Sequence, residues 1–451
     1  MGRFARDRGG NGIVTPFDAR LLGDIRVDGA ETLAARDGDM VTVEVRRWPG
    51  VAGGGLGRVV EVLGRIDDPG VDTEIVLRKH GIPDEHAPDA VAEARALDIA
   101  VSPREIAVRT DFRDRDVVTI DGEHARDFDD AISIARLPNG HHWLGVHIAD
   151  VAHYVREGSP LDLDGFARGT SVYFPERAVH MFPSELATGV CSLNPHVDRL
   201  VQSCLMEVDG QGEVVRYELH DGVIHSRARM TYTAVNAIVT ERDPALREQY
   251  RALVPMFELM HELFKVLHAR RRRRGSIDFD LPEAEVVVDD EGAIEAIVAS
   301  ERNDAHRLIE EFMLLANETV AAHLERQAMP ALYRIHEAPD PLRVAEFEEF
   351  VASLGYSLAV PAHGPVHPRH FQRLVDRIRA TPEERPIAFL MLRTMQKARY
   401  DPVNLGHFGL AAHTYTHFTS PIRRYPDLVV HRLLREVRGG RVDDDRRADL
   451  E

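Results

Sequence analysis

Cysteine and lysine are scarce in this chain. The two cysteines, Cys191 and Cys204, are too few for a disulfide framework or a zinc site. No apolar run approaches the ~20 residues that a membrane-spanning helix needs. The first residues carry charges with no apolar segment after them, so no secretory signal is expected. These absences predict a cytoplasmic protein without a membrane partner.

Positive charge is also limited. The formal net charge of −18 argues against indiscriminate binding to polyanions, but it does not exclude a local basic channel. Lysine occurs only at positions 79, 265 and 397, so arginine carries nearly all the positive charge. The planar fork of arginine suits phosphate groups. A base-composition bias in the genome would produce the same replacement, and it is the favoured explanation.

The pattern of short apolar runs predicts an α+β protein whose β-rich part comes first. A length of 451 residues indicates two or three domains. Between residues 12 and 66, alternating runs separated by Gly, Asp and Pro turns predict a small barrel or sandwich, and an OB-fold-like barrel fits this length. Helices are predicted at 87–97, 244–274, 301–327, 341–354, 369–379 and 386–397, and from residue 426 onwards.

An acidic stretch stands out at residues 119–131. Asp121, Asp127, Asp129 and Asp130 are expected on one irregular connection between strands at 117–120 and 131–135. Crowded carboxylates repel one another, so keeping several of them ionised is unfavourable unless a cation lies among them. Mg²⁺ prefers oxygen ligands of this kind. A solvated acidic loop is the alternative interpretation. The flanking strands and the additional Asp121 favour a metal site.

Two further stretches suggest binding to nucleic acid. Arg423 and Arg424 directly precede the last predicted helix, where free N–H groups and guanidinium groups would suit an oxyanion. A capped helix with a surface arginine pair explains the same residues equally well. Tyr173 lies on a predicted strand and could stack on a base, an interaction worth about 1–3 kcal/mol. From the residues alone, a place in the core is the favoured interpretation.

Other polar features have plainer explanations. His147 and His153 could be metal ligands, but structural histidines on a buried strand are favoured. The five arginines at 270–274 are expected at a solvated helix end, where they suit the helix dipole, and attraction of RNA is the alternative. No phosphate-cradling Gly-x-x-x-x-Gly-Lys loop is present in the sequence.

Five motifs together resemble the RNase II / RNase R family, and RNase R is the nearer of its two members. They are TIDGEHARDFDDA (119–131), GVHIADV (145–151), CSLN (191–194), GHFGL (406–410) and HFTSPIRRYPD (417–427). The resemblance implies an RNB catalytic domain of mixed α/β structure. It also implies processive, hydrolytic 3′-to-5′ degradation of single-stranded RNA to nucleoside 5′-monophosphates.

The resemblance assigns roles to individual residues. Asp121, Asp127, Asp129 and Asp130 fall on the four active-site aspartates of the family, and catalysis depends most on the one matched by Asp129. We expect them to hold two Mg²⁺ ions, with Mn²⁺ as an alternative metal. The RNA-binding residues implied by the resemblance are Tyr173 at the terminal nucleotide, Arg423 at the scissile phosphate, and Arg424.

The same resemblance gives the expected domain order. Residues 1–80 match the second of the family's two cold-shock (OB-fold) domains, 81–110 form a connecting segment, and 111–451 form the RNB domain. The first cold-shock domain is expected to be missing or truncated and the C-terminal OB-fold domain to be missing, which indicates either a shortened form or an incomplete sequence. We expect a monomer. Two other functions remain open, namely a non-catalytic RNA-binding protein and a metal-dependent phosphodiesterase that acts on small nucleotides.

Overall fold

The computed structural model describes residues 1–21, 23–49, 54–278, 283–289, 294–300, 302–361 and 364–440. Their strands are β1 Gly2–Arg6, β2 Gly12–Pro16, β3 Ile25–Val27, β4 Asp39–Arg47, β5 Gly55–Arg65, β6 Thr110–Asp111, β7 Val118–Asp121, β8 Asp130–Arg136, β9 His142–Ala149, β10 Val172–Tyr173, β11 Ala178–Val179, β12 Asp198–Val208, β13 Val214–His225, β14 Ala228–Thr231, β15 Glu283–Val288, β16 Ile294–Ser300, β17 Tyr333–Ile335 and β18 Arg399–Asp401. Their helices are α1 Val71–His80, α2 Pro88–Arg95, α3 Pro103–Ala107, α4 Val151–Tyr154, α5 Pro160–Arg168, α6 Tyr232–Asn236, α7 Pro244–Gln249, α8 Val254–Arg274, α9 Asp304–Arg326, α10 Pro341–Ser353, α11 Pro368–Ile378, α12 Glu384–Thr394 and α13 Tyr425–Arg438.

The first compact unit contains a closed barrel. The unit comprises Met1–His86, Val172–Val179 and Ala284–Ala299. The barrel order is β1-β2-β3-β5-β4, so every strand is paired on both sides. Its interior is filled by alternate residues of the strands, among them the fully buried Phe4. The small β-barrel is therefore confirmed, although β1 was not predicted because its five residues contain one large apolar side chain.

The second compact unit is built on a seven-stranded sheet. It comprises Ala87–Ser171, His180–Glu283 and Ser300–Glu451. The strand order is β14-β7-β8-β9-β12-β13-β6, antiparallel from β7 to β13 and parallel at both edges. Leu144, Val146 and Ile148 of β9 join one buried cluster with α8, α9 and α13, while the neighbouring Trp143 and Ala149 join another. Because alternate side chains point to opposite faces, the sheet is covered on both sides.

The predicted helices are largely confirmed, with one correction. The helix expected over 244–274 is divided into α7 and α8 by the turn at residues 250–253. The helix expected over 301–327 is α9, and residue 301 itself lies outside the described residues. The long pair β12 and β13 was not predicted. Every residue of β12 except its first and its tenth is buried, so it lacks the alternation that marks a half-exposed strand.

The α+β class is confirmed, with the barrel first and the mixed α/β unit after it. The predicted domain boundaries at residues 80 and 110 stay a prediction, because the limits of a compact unit need not coincide with those of a family domain. Residues 441–451 lie outside the described residues. Among the helices that the structure describes, none is both long enough and apolar enough to cross a membrane.

Candidate active site

The four aspartates are distributed over two neighbouring strands and the segment that joins them. Asp121 is the last residue of β7 and Asp130 is the first residue of β8. Only Asp127 and Asp129 lie on the connection itself, so the expectation that all four share it was wrong. The strands extend further than predicted because Asp130 pairs with Ile148 of β9. Two of the carboxylates are thereby fixed on the rigid sheet.

Ser192, which is buried, hydrogen-bonds to the backbone of the connection between β7 and β8. The Ser192 hydroxyl donates to the carbonyl of Arg126 at 2.7 Å and accepts the N–H of Phe128 at 3.0 Å. The N–H of Leu193 donates to the carbonyl of Phe128 at 3.0 Å. From the edge strand β14, the Arg229 guanidinium donates to two carbonyls near the start of the connection. The CSLN motif therefore supports the backbone that carries Asp127 and Asp129.

The connection between β7 and β8 contacts the segment that carries Arg423 and Arg424. The Ile422 N–H donates to Asp129 Oδ1 at 2.8 Å, across 293 residues of sequence. Arg423 Nε lies 3.7 Å from Asp129 Oδ2. Asp129 is buried, whereas the Arg423 side chain is 43% exposed. One partly exposed guanidinium thus stands beside the most buried carboxylate of the group.

Burial makes these carboxylates costly to ionise. Burial raises the pKa of Asp121 well above its usual range, and the neighbouring Asp130 and Asp129 carboxylates raise it further. Burial also raises the pKa of Asp129, against the opposing effect of Arg423. For Asp130, burial raises the pKa to about 6. Ionised carboxylates in such surroundings need positive charge nearby.

The donor set fits a hard divalent cation. Oδ2 of Asp121, Asp129 and Asp130 is buried in each case and has no hydrogen-bond partner. Within the described part of the chain, no group of three or more His, Cys, Asp or Glu side chains is placed to hold a metal ion together. Mg²⁺ does not require such a group, since it is usually held by one or two carboxylates together with waters and substrate phosphates.

The two other predicted RNA-binding residues lie in different surroundings. Arg424 donates from Nε and Nη2 to Asp427, at 2.9 and 2.7 Å, so its guanidinium already has a carboxylate partner. Tyr173 belongs to the first compact unit, where β10 pairs with β11. Tyr173 is 51% exposed, so the favoured interpretation as a core residue was wrong.

One histidine near the aspartates was not anticipated. His180 Nδ1 lies 3.7 Å from Asp127 Oδ2. His180 follows β11, whereas Asp127 lies on the acidic connection, so no local motif joins them. Their proximity arises from the tertiary fold alone.

Of the two histidines expected on a buried strand, His147 lies on β9, whereas His153 lies on α4 and is partly exposed, so the prediction was wrong for His153. His147 is buried, with one ring nitrogen 2.9 Å from Ser133 Oγ and the other 2.8 Å from Ser203 Oγ. Burial lowers its pKa to about 3, so the ring is neutral near pH 7. His153 contacts Arg109 at 3.3 Å.

The arginine run at the end of α8 is an ion-pair network rather than a solvated end. Arg271 is buried and donates to Glu311 at 2.7 Å. Arg274 pairs with Glu318 at 2.7 Å. Arg270 and Arg272 likewise have carboxylate partners. These pairs neutralise most of the local positive charge, which argues against attraction of RNA at this point.

Comparisons with known proteins agree with the motifs. A family model described as RNB domain matches residues 109–439, and one described as cold shock domain matches residues 13–86. Ribonuclease R of Aquifex aeolicus is 41% identical over 431 residues, which cover 95% of this chain and 61% of the relative. Ribonuclease R of Escherichia coli K12 is 42% identical over 435 residues, which cover 96% and 53% respectively. The chain spans about half to three-fifths of the length of these relatives.

Solved structures share the fold. Mycoplasma genitalium RNase R in complex with ribose-methylated single-stranded RNA matches with a TM-score of 0.90 at 28% identity, covering 100% of this chain and 70% of that chain. Yeast Ssd1, a pseudonuclease, matches with a TM-score of 0.72 at 20% identity, covering 98% and 55%. The likeness to Ssd1 shows the fold alone. Because a pseudonuclease has this fold, activity must be argued from the side chains of the site.

Proposed function

The chain belongs to the RNB-domain family that includes ribonuclease R, and we propose that it is a processive 3′-to-5′ exoribonuclease. It hydrolyses single-stranded RNA to nucleoside 5′-monophosphates in RNA decay. We further propose that it acts as a monomer in the cytoplasm. The observation that carries the enzymatic proposal is the group of buried, unpartnered carboxylate oxygens of Asp121, Asp129 and Asp130, next to the guanidinium of Arg423.

This arrangement favours catalysis over simple binding. A protein that only binds RNA has no use for several buried carboxylates, because they repel both one another and the phosphates of the ligand. Each buried oxygen without a partner also costs folding free energy, about 1–3 kcal/mol for a typical polar group. Such a cost is typical of a site whose chemistry requires it. The non-catalytic alternative is therefore less well supported.

Asp121, Asp127, Asp129 and Asp130 would hold the divalent ions. Two bound Mg²⁺ ions supply Lewis acidity and neutralise charge on the attacking and leaving oxygens of a phosphodiester. Water adds to the terminal phosphorus and the bond to the 3′ oxygen of the preceding nucleotide breaks. The phosphate consequently stays on the released nucleotide as a 5′-monophosphate, and the shortened RNA keeps a 3′-hydroxyl.

The protein's own groups position the phosphate and its charge. The bond from the Ile422 N–H fixes the orientation of the Asp129 carboxylate. Arg423 stabilises the negative charge that develops on the phosphate oxygens, and it is placed for this beside Asp129. The exposed position of Tyr173 supports a role in stacking on the terminal base. Stacking and backbone contacts predict little sequence preference, and discrimination against DNA requires contacts to the 2′-hydroxyl.

A 5′-labelled RNA resolved on a denaturing gel tests the proposal. We expect the label to move from full length to a short end product with few intermediates, without activity on DNA. Chelation by EDTA should abolish cleavage, and Mg²⁺ or Mn²⁺ should restore it. Binding without cleavage would indicate a non-catalytic RNA-binding protein, whereas cleavage confined to dinucleotides would indicate a small-nucleotide phosphodiesterase. A duplex with a 3′ overhang would measure the handling of structured RNA.

The Tyr173→Ala variant is expected to leave longer end products. Losing the stacked ring removes about 1–3 kcal/mol of binding to the terminal nucleotide, so short RNAs dissociate before they are cleaved. The length of the final product on the same gel measures this effect. Tyr173→Phe keeps the ring and serves as the control. An unchanged product ladder in the alanine variant would exclude the proposed role.

A further inference from the structure

Asp427 is a buried carboxylate that the proposed chemistry does not use. It lies in the first turn of α13 and is fully buried. Its Oδ1 accepts the Ser420 N–H at 2.8 Å and Arg424 Nη2 at 2.7 Å, while its Oδ2 accepts Arg424 Nε at 2.9 Å. The charge of Asp427 is therefore balanced by Arg424. With both oxygens occupied by protein donors, Asp427 is suited to hold a segment in place rather than to bind a ligand.

Ser420 connects Asp427 to the arginine of the active site. It is buried, and its hydroxyl oxygen accepts Arg423 Nη2 at 2.8 Å. Its carbonyl accepts the N–H groups of Arg423 and Arg424, at 3.3 and 3.0 Å. One residue thus receives a bond from Arg423 and gives its own N–H to Asp427. The contacts form a continuous path from the helix to the guanidinium.

The backbone of Arg423 is fixed separately from its side chain. Its carbonyl accepts the Ser171 N–H at 2.9 Å and the Thr170 hydroxyl at 3.0 Å. These bonds locate the Cα atom but leave the long side chain free to rotate. An unrestrained arginine side chain populates many rotamers, and it loses that freedom when it is held in one orientation. A group that must meet a phosphate needs its own orienting contact, and Ser420 provides one.

We propose that Ser420 and Asp427 are positioning residues, which direct the Arg423 guanidinium toward the phosphate of the bound RNA. Ser420 holds the guanidinium directly, and Asp427 holds Ser420 through its N–H. Arg424 completes the arrangement by neutralising Asp427. This inference rests on the proposed role of Arg423 in phosphodiester hydrolysis and assigns to the neighbouring residues the task of orienting it.

The Ser420→Ala variant isolates this role. It removes the hydroxyl that orients Arg423 but keeps the N–H that Asp427 accepts, so the segment stays folded. We expect kcat on single-stranded RNA to fall about tenfold with KM nearly unchanged, because a misdirected group loses transition-state contacts more than ground-state contacts. Ser203→Ala is the matched control, since it also removes a buried hydroxyl, the one bonded to His147. Its kcat should stay within about twofold of that of the original chain.

A double-mutant cycle decides whether Ser420 acts through Arg423. Adding Ser420→Ala to Arg423→Ala should lower kcat no further, because the group that it orients is already absent. Asp427→Asn should likewise lower kcat in the original chain but not in the Arg423→Ala variant. Circular dichroism and thermal melting check that each variant is folded. Losses that multiply in the double variants, or an unchanged kcat in Ser420→Ala, would overturn the proposal.

A chemical measurement separates this inference from the proposed enzyme activity. Phenylglyoxal modifies exposed guanidinium groups, and peptide mass spectrometry reports the rate at Arg423 without RNA. Loss of the Ser420 bond should raise that rate several-fold in Ser420→Ala, compared with Ser203→Ala. An equal rate in the two variants would overturn the positioning role. If the original chain cleaved no RNA, the proposed function would fail while this measurement still decided the inference.

Discussion

Changing Asp129 to asparagine is expected to reduce nucleotide release from single-stranded RNA by at least about a thousandfold. Divalent ions contribute several kcal/mol to stabilising the charge of such a transition state, and each 1.36 kcal/mol is about a factor of ten in rate. Asp129 is the most buried of the four aspartates and stands next to Arg423. An amide in its place removes the negative charge that would hold an ion there. The measurement is the rate of 5′-monophosphate release at saturating RNA.

The fold and RNA binding should survive this change. Asparagine has the size of aspartate, and its carbonyl oxygen can still accept the Ile422 N–H that now bonds to Asp129 Oδ1. Removing a buried charge also removes a desolvation cost. RNA affinity, followed by fluorescence anisotropy, should therefore change little. Asp116→Asn, at an exposed position just before β7, is the control and should keep full activity. Undiminished turnover in Asp129→Asn would refute the assignment of this site.

Local sequence patterns were sufficient for the framework around the aspartates. Apolar runs on both sides of the acidic stretch predicted β7 and β8. The runs did not reveal where the strands end. Asp121 and Asp130 complete backbone ladders with β14 and β9, and a charged residue at a strand end carries no apolar signal.

Contacts between distant segments could not be read from the sequence. The bond between Ile422 and Asp129 joins residues 293 positions apart, and it uses a backbone N–H that every residue except proline possesses. His180 and Asp127 are likewise distant in the sequence and are brought together only by the tertiary fold. Recognition of the motifs suggested that the segments belong to one site. It did not indicate which atoms would meet.

Charge runs and aromatic residues were the least reliable signals. The arginines at 270–274 suggested solvent exposure, yet Arg271 is buried against Glu311 of α9. Glu311 lies 40 residues further along the chain, on a different helix, so no local pattern links it to Arg271. Tyr173 was judged a core residue and is exposed. Burial depends on what packs against a residue, and that is a property of the tertiary fold.

Arg423→Ala should lower the rate of cleavage by about 10²–10³-fold, the usual cost of removing one positioned donor to a developing negative charge. The Arg423 side chain is partly exposed, and its Nε lies 3.7 Å from the Asp129 carboxylate. Its charge is therefore not neutralised by a close ion pair. The effect should fall on kcat, because other contacts along the RNA maintain binding. Single-turnover kinetics on 5′-labelled RNA measure the chemical step directly. Arg423→Lys should recover only part of the rate, since lysine keeps the charge but lacks the planar fork.

Two comparisons make this result specific to Arg423. Arg251→Ala removes an exposed arginine on the surface of the same unit, and it should leave the rate unchanged. Arg424→Ala removes the partner of the buried Asp427 carboxylate, so it should lower thermal stability as well as rate. Arg423→Ala should lower the rate without lowering thermal stability. The Arg423 guanidinium lies 3.7 Å from Asp129 and, among the residues that the structure describes, makes no hydrogen bond to a buried carboxylate, so its loss leaves no such bond broken. Equal losses of stability in both variants would mean that Arg423 is a structural residue, and the charge on the phosphate would then have to be stabilised by other groups.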